Sequence, residues 1–194
     1  MSKQLPENPE IETLTRIQIL TAMGLTAVVW LVITKLTLEF SHISLLRLYW
    51  SPIDLLLGIA LAVVITISSS IIYRIWPAYR QSADFYLNLI LKPLVLPDLI
   101  WLGLLPGLSE ELLFRGIGLP LFGLNATGII ASSVSFGVLH FNSLQQWPYV
   151  VWATTVGLFL GFSAVQTGNL LVPIIAHILT NIISGYMWKM GNRQ

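Results

Sequence analysis

The 194-residue chain contains no cysteine, which excludes disulfides, thiolate metal sites and cysteine nucleophiles. Charge is also scarce. Asp, Glu, Lys and Arg make up 10% of the residues, against roughly a quarter in an ordinary soluble domain. With a net charge of +1 and no basic cluster interleaved with aromatics, no nucleic-acid partner is expected. Internal repeats and low-complexity tracts are missing as well.

What fills the chain instead is apolar: 55% of the residues are hydrophobic. A membrane span needs about 20 such residues in a row. Runs of that kind cover Ile17–Leu38, Ile53–Ile72, Leu99–Leu119, Ala126–Leu144, Tyr149–Val165 and Leu170–Met187. The expected fold is all-α, a polytopic transmembrane helical bundle of about six spans. It divides into a polar N-terminal segment 1–16, two spans and a connector over 17–98, and a four-span core over 99–190. The first sixteen residues, MSKQLPENPEIETLTR, lead into an apolar run longer than a signal-peptide core, with no A-x-A cleavage pattern behind it. That pattern reads as a retained anchor. The connector Tyr73–Asp98, with Arg74, Arg80, Asp84, Lys92, Pro93 and Pro97, fits a helix lying partly along the membrane surface.

Six spans place both termini on one side. Lys3, Arg16, Arg74, Arg80, Lys92, Lys189 and Arg193 fall there, and only Lys35 and Arg47 fall opposite. This bias predicts that both termini face the cytoplasm. Tyr49, Trp50, Tyr73, Trp76, Tyr79, Trp147 and Tyr149 lie near predicted span ends, where an interfacial aromatic belt belongs.

Against this background the polar residues inside the spans stand out. Each carboxylate or guanidinium near the bilayer centre costs roughly 2.5–3.5 kcal/mol on insertion scales. The run SEELLFRG nevertheless carries Glu110, Glu111 and Arg115. Glu111 and Arg115 are four apart, on one helical face and in ion-pair order. Glu110 and Phe114 lie on the adjacent stripe, and Glu110 has no local cation left. Pro106–Gly107 just before should kink or restart the helix. Further on, SVSFGVLHF puts Phe136 and His140 on one face, and NLLVPIIAHILTN does the same for His177 and Asn181. Pro173 suits the first turn of that last helix. A lone intramembrane histidine is normally inter-helix glue, worth about 0.6 kcal/mol on average. A Glu, a His and a His–Asn pair on three separate spans are harder to explain that way. Gly157 and Gly161 form a GxxxG pattern, which reads as close helix packing. His42 reads as solvated or interfacial. Ser109 lacks the flanking glycine usual for a serine nucleophile, which weakens a serine–histidine dyad.

These three segments resemble a known family. EELLFR is similar to the EExxxR motif, FGVLH to FxxxH and HILTN to HxxxN of the CPBP family. That family holds type II CAAX prenyl endopeptidases, bacteriocin-processing and self-immunity proteins, and abortive-infection-like intramembrane proteases. The stretch TGNLLVPIIAH also looks like the family's approach to its second histidine. The resemblance covers about Leu99–Ile183. It implies an intramembrane endopeptidase acting on a membrane-associated protein or peptide, lipidated or not, among membrane lipids.

Two chemistries are implied. In the glutamate scheme, Glu110 with His140 activates a water, and His177 with Asn181 donates to the developing oxyanion; Glu111, Arg115 and Phe136 support them. In the metal scheme, Glu110, His140 and His177 would hold zinc with an open water position. No HExxH helix is present and Asn181 is a poor zinc ligand, so the metal-free scheme is favoured and zinc remains the alternative. A non-enzymatic scaffold or immunity protein is the competing class, and a proton-coupled transporter the third, less suited because repeats and paired broken helices are lacking. Counting 1.5 Å per residue, Glu110 and His177 lie about 20 Å from the cytoplasmic face, and His140 about 6–10 Å. The motifs can meet only if the fourth span starts near Thr127 or beyond, or if Gln166–Leu171 dips into the membrane.

Overall fold

The structure, a computed structural model, describes residues 14–192. Most of the polar segment 1–16, with Lys3, lies outside the described residues, as does Arg193. Seven helices follow in order: α1 (Arg16–Phe40), α2 (Pro52–Ile75), α3 (Pro77–Leu91), α4 (Leu99–Glu111), α5 (Ala126–Val138), α6 (Trp147–Thr167) and α7 (Leu171–Gly191). No strand occurs among the described residues. Helix α4 does not stop at Glu111. It opens into a π-helical stretch, Leu112–Gly118, and closes with Leu119–Phe122.

Local chemistry sets the starts. Thr15 caps α1 through a reciprocal box: its hydroxyl accepts from the Gln18 N–H, and the Gln18 side chain accepts from the Thr15 N–H. Ser51 caps α2 ahead of Pro52, and Pro148 and Pro173 sit in the first turns of α6 and α7, where a missing N–H costs nothing.

Four helices are long and apolar enough to cross a membrane: α1, α2, the stretch Leu144–Thr167 containing α6, and α7. A fifth is counted if α3 and Leu96–Phe122, bent by 109° at their junction, are taken as one. The connector 73–98 is thus mostly helix, as its composition suggested. The expected fourth span is shorter than its apolar run: α5 has 13 residues, about 20 Å at 1.5 Å per residue, against a hydrocarbon core of about 30 Å. Large apolar side chains such as Leu25, Val28, Ile53, Leu56, Val64 and Ile67 are exposed along α1 and α2. Facing water, such surfaces would aggregate; facing lipid they are matched, and the protein is a multi-pass integral membrane protein.

Two prolines in the Leu96–Phe122 helix organise the bundle. Neither breaks it. Pro106 has no N–H for the Leu102 carbonyl, and Asn181 of α7 donates its side-chain amide there at 3.4 Å. Pro120 likewise offers nothing to the Gly116 carbonyl, which accepts from the Leu46 N–H at 2.9 Å. In lipid no water can serve these carbonyls, so the neighbours must. Leu46 belongs to a strap, residues 41–51, that joins α1 to α2. Arg47 O accepts from Leu170 N–H at 2.9 Å, and Tyr49 exchanges hydrogen bonds with the Asn169 side chain at 3.2 and 2.9 Å. Asn169 also donates to Asp54 at 2.8 Å. Asn169 and Leu170 are fully buried. The fourth helix keeps its start at Ala126, and within the Gln166–Leu171 connection Gln166 is exposed while Asn169 and Leu170 are buried.

Glycines let the helices approach. A Cβ on Gly103 would lie 2.8 Å from the Ile178 carbonyl, and one on Gly107 2.5 Å from the Ile178 side chain, so α4 and α7 are in backbone contact. We expect Gly103→Leu and Gly107→Leu each to lower stability by about 1–3 kcal/mol through overpacking. Gly24→Ala, which faces open space, should be neutral or slightly stabilising in the same detergent melts.

Candidate active site

The π turn places the first motif. Widening of the helix after Glu111 lets the Leu119 N–H reach the Phe114 carbonyl, five residues back, which also accepts from Ser132 of α5 at 2.7 Å. Single π turns of this kind concentrate at functional sites. Glu111 and Arg115 are both fully buried and paired at 2.9 Å. Arg115 also donates to the Gly157 carbonyl at 3.1 Å, and its guanidinium lies 4.5 Å above the Phe136 ring. The GxxxG of α6 therefore does more than pack. A Cβ on Gly157 would stand 3.1 Å from the guanidinium and 3.0 Å from Ser133.

His177 is held by Glu111. Its Nδ1 lies 2.8 Å from the same carboxylate oxygen, Oε1, that Arg115 binds. An ionised carboxylate only accepts, so Nδ1 carries the hydrogen and Nε2 of the neutral ring presents its lone pair. That nitrogen faces Glu110 Oε2 across 4.0 Å. Glu110 Oε2 is buried and has no hydrogen-bond partner. Glu110 keeps 15% side-chain exposure, whereas Glu111 has none. The two glutamates thus differ in kind: one is locked in an ion pair, the other is free and reachable.

His140 sits just past the end of α5. Its Nδ1 is 2.9 Å from the Phe136 carbonyl, again an acceptor, so its Nε2 is also the free nitrogen. Tyr86 of α3 hydrogen-bonds the His140 carbonyl, and Ser82 bonds Gln146 at 2.5 Å, pinning the loop under α3. Phe136 is the common neighbour. Its ring is 4.9 Å from His140, 5.8 Å from His177 and 5.4 Å from Phe114. Arg115, His140 and His177 are therefore gathered around the Phe136 ring, with Glu111 joined through Arg115 and His177 and Glu110 facing His177.

Two placements differ from the sequence expectation, and a third, that of Ser109, agrees with it. His177 pairs with Glu111, not with Asn181, because the i,i+4 neighbour is drawn off to the carbonyl that Pro106 leaves open. Glu110 has its nearest base in His177 rather than His140. Ser109 is buried and donates to Leu105 O at 2.7 Å, so its hydroxyl is spent on the backbone. As for zinc, no group of three His, Asp or Glu side chains among the described residues is arranged to hold a metal ion. Nδ1 of each histidine is engaged with protein oxygen and Nε2 of each is free, an arrangement equally suited to holding a water and to binding a metal ion.

Residues 92–183 match the family described as Type II CAAX prenyl endopeptidase Rce1-like. YpbD, an uncharacterized protein of Bacillus subtilis (strain 168), is 29% identical over 126 residues, covering 65% of this chain and 64% of that protein. No solved structure matches significantly.

The buried ion pair makes a direct prediction. Arg115→Met leaves the Glu111 charge sealed without its cation and should cost about 3–5 kcal/mol. Adding Glu111→Gln to Arg115→Met should recover much of that loss in thermal unfolding.

Proposed function

We propose that this integral membrane protein, whose residues 92–183 match the Type II CAAX prenyl endopeptidase Rce1-like family, is an endopeptidase whose attacking water is activated by Glu110. The observation that carries the reading is the free, buried oxygen of Glu110 facing His177 Nε2 at 4.0 Å. That gap is too long for a direct hydrogen bond and suits one water shared by both acceptors. The water would donate one hydrogen to the Glu110 carboxylate and one to His177 Nε2, leaving its own lone pair aimed at a scissile carbonyl.

Each neighbour has a task in this scheme. Arg115 and His177 both donate to Glu111 Oε1, which fixes the imidazole tautomer and keeps its outer nitrogen basic. Phe136 packs against both histidines and the guanidinium, holding their separation. His140, with Nδ1–H spent on Phe136 O, offers Nε2 to the substrate side as a hydrogen-bond acceptor, while Glu110 returns its proton to the departing amine. Asn181 would act through the backbone of α4, by satisfying Leu102, rather than by touching the substrate. The substrate class is a membrane-associated protein or peptide, with a prenylated C-terminal segment as the first candidate. On the K/R bias of the sequence, our reading has both termini, and with them the His140 end of α5, facing the cytoplasm.

General bases of this kind contribute about 10²–10⁴ in rate. Glu110→Gln in proteoliposomes should therefore cleave an internally quenched, C-terminally prenylated peptide at least about 10²-fold more slowly than wild type, with an unchanged melting temperature. Undiminished turnover by the variant sinks the glutamate scheme. Phenanthroline should leave the wild-type rate intact; a loss reversed by added zinc would move the mechanism to the metal scheme.

A further inference from the structure

Asn181 and His177 were the sequence candidates for oxyanion donors, and both of their local roles are already taken. A different hydroxyl is better placed. We propose that the Tyr149 hydroxyl is the hydrogen-bond donor to the oxyanion that develops on the substrate carbonyl. This deepens the peptidase reading above and rests on it.

Tyr149 lies in the first turn of α6, directly after buried Pro148. Its ring is clamped in a cluster: Tyr86 stacks on it at 4.3 Å, Tyr79 lies nearly parallel at 6.5 Å, and His140 is 5.9 Å away. Both tyrosines that pack on it spend their hydroxyls inside the protein: Tyr79 pairs with Ser69 at 3.1 Å, and Tyr86 bonds the His140 carbonyl. The Tyr149 hydroxyl makes no hydrogen bond to any described residue. Nor is it sealed away like the unpartnered hydroxyls of Thr34, Thr66 and Thr180. A buried tyrosine normally finds a partner for its O–H. Here the ring is fixed next to His140. An unpartnered donor held rigidly beside a site histidine is the kind of group that oxyanion stabilisation uses.

The step balances. The water oxygen forms a bond to the carbonyl carbon as one of its protons passes to Glu110, and the C=O π pair moves onto the carbonyl oxygen. The Tyr149 O–H hydrogen-bonds that oxygen without giving up its proton. On collapse the C=O re-forms and the C–N bond breaks. The leaving nitrogen takes the proton from Glu110, which yields an amine and a carboxylic acid that then ionises.

The test uses the full-length protein in proteoliposomes with the internally quenched prenylated peptide, comparing wild type, Tyr149→Phe and Glu110→Gln. Tyr149→Phe removes one oxygen and keeps the stacking ring, so the fold should melt at the wild-type temperature. Loss of one oxyanion donor costs about 10²–10³ in kcat, with KM nearly unchanged. A phosphinate analogue of the peptide, which carries the tetrahedral charge, should bind Tyr149→Phe more weakly by a similar factor. The uncleaved product peptide should bind it equally well. Wild-type kcat and phosphinate affinity in Tyr149→Phe, beside an inactive Glu110→Gln, overturn the tyrosine assignment and leave the glutamate base standing. An active Glu110→Gln overturns both.

Discussion

One oxygen atom organises this protein. Glu111 Oε1 accepts from Arg115 and from His177 at once, joining the π turn after α4 to the middle of α7 inside a fully buried pocket. Placing a carboxylate and a guanidinium there is expensive unless each is matched. The match extends outward: Arg115 reaches the Gly157 carbonyl of α6 and lies over Phe136 of α5. Four elements are thereby tied to a single charge pair, and Glu110, next in sequence, is left as the carboxylate with nothing to neutralise it. The division of labour between two adjacent glutamates follows from which of them the cation can reach.

Much of this could be read before any coordinates. Apolar runs located all the long helices, and the composition of residues 73–98 anticipated a helix in the connector, seen as α3. Spacing alone paired Glu111 with Arg115 and put Phe136 beside His140, and both contacts are present. What spacing could not reveal was long-range. An i,i+4 rule joins His177 to Asn181, but a proline 75 positions upstream of Asn181 in the sequence leaves a carbonyl that claims the amide instead. The early end of α5 is hidden because Leu139, Phe141 and Leu144 carry the apolar pattern past it, while the structure turns there so that His140 meets Phe136 and Tyr86. Tyr149 reads as one more interfacial aromatic in the chain; only the clamp formed by Tyr79 and Tyr86 marks it out.

The two prolines of the Leu96–Phe122 helix belong to the same logic. In water a proline inside a helix is a defect that solvent repairs. In hydrocarbon the open carbonyl must be answered by protein, so each proline becomes a specific instruction about which neighbour approaches. Pro106 recruits α7 through Asn181, and Pro120 recruits the 41–51 strap through Leu46. The strap in turn covers Asn169 and Leu170, which draws the start of α7 inward and sets the height of His177.

The shortness of α5 has a consequence for the surrounding bilayer. A rod of 13 residues stands beside the 24-residue stretch Leu144–Thr167, so this flank presents about 20 Å of apolar height where acyl chains supply about 30 Å. Lipids there must compress, or the polar loop after His140 must sit below the headgroups; mismatch of this kind costs fractions of a kcal/mol per ångström. Either response pulls headgroup hydration down towards His140. If it acts as the peptidase proposed above, the protein would thus carry, in one truncated helix, its own indentation in the oil through which water is supplied.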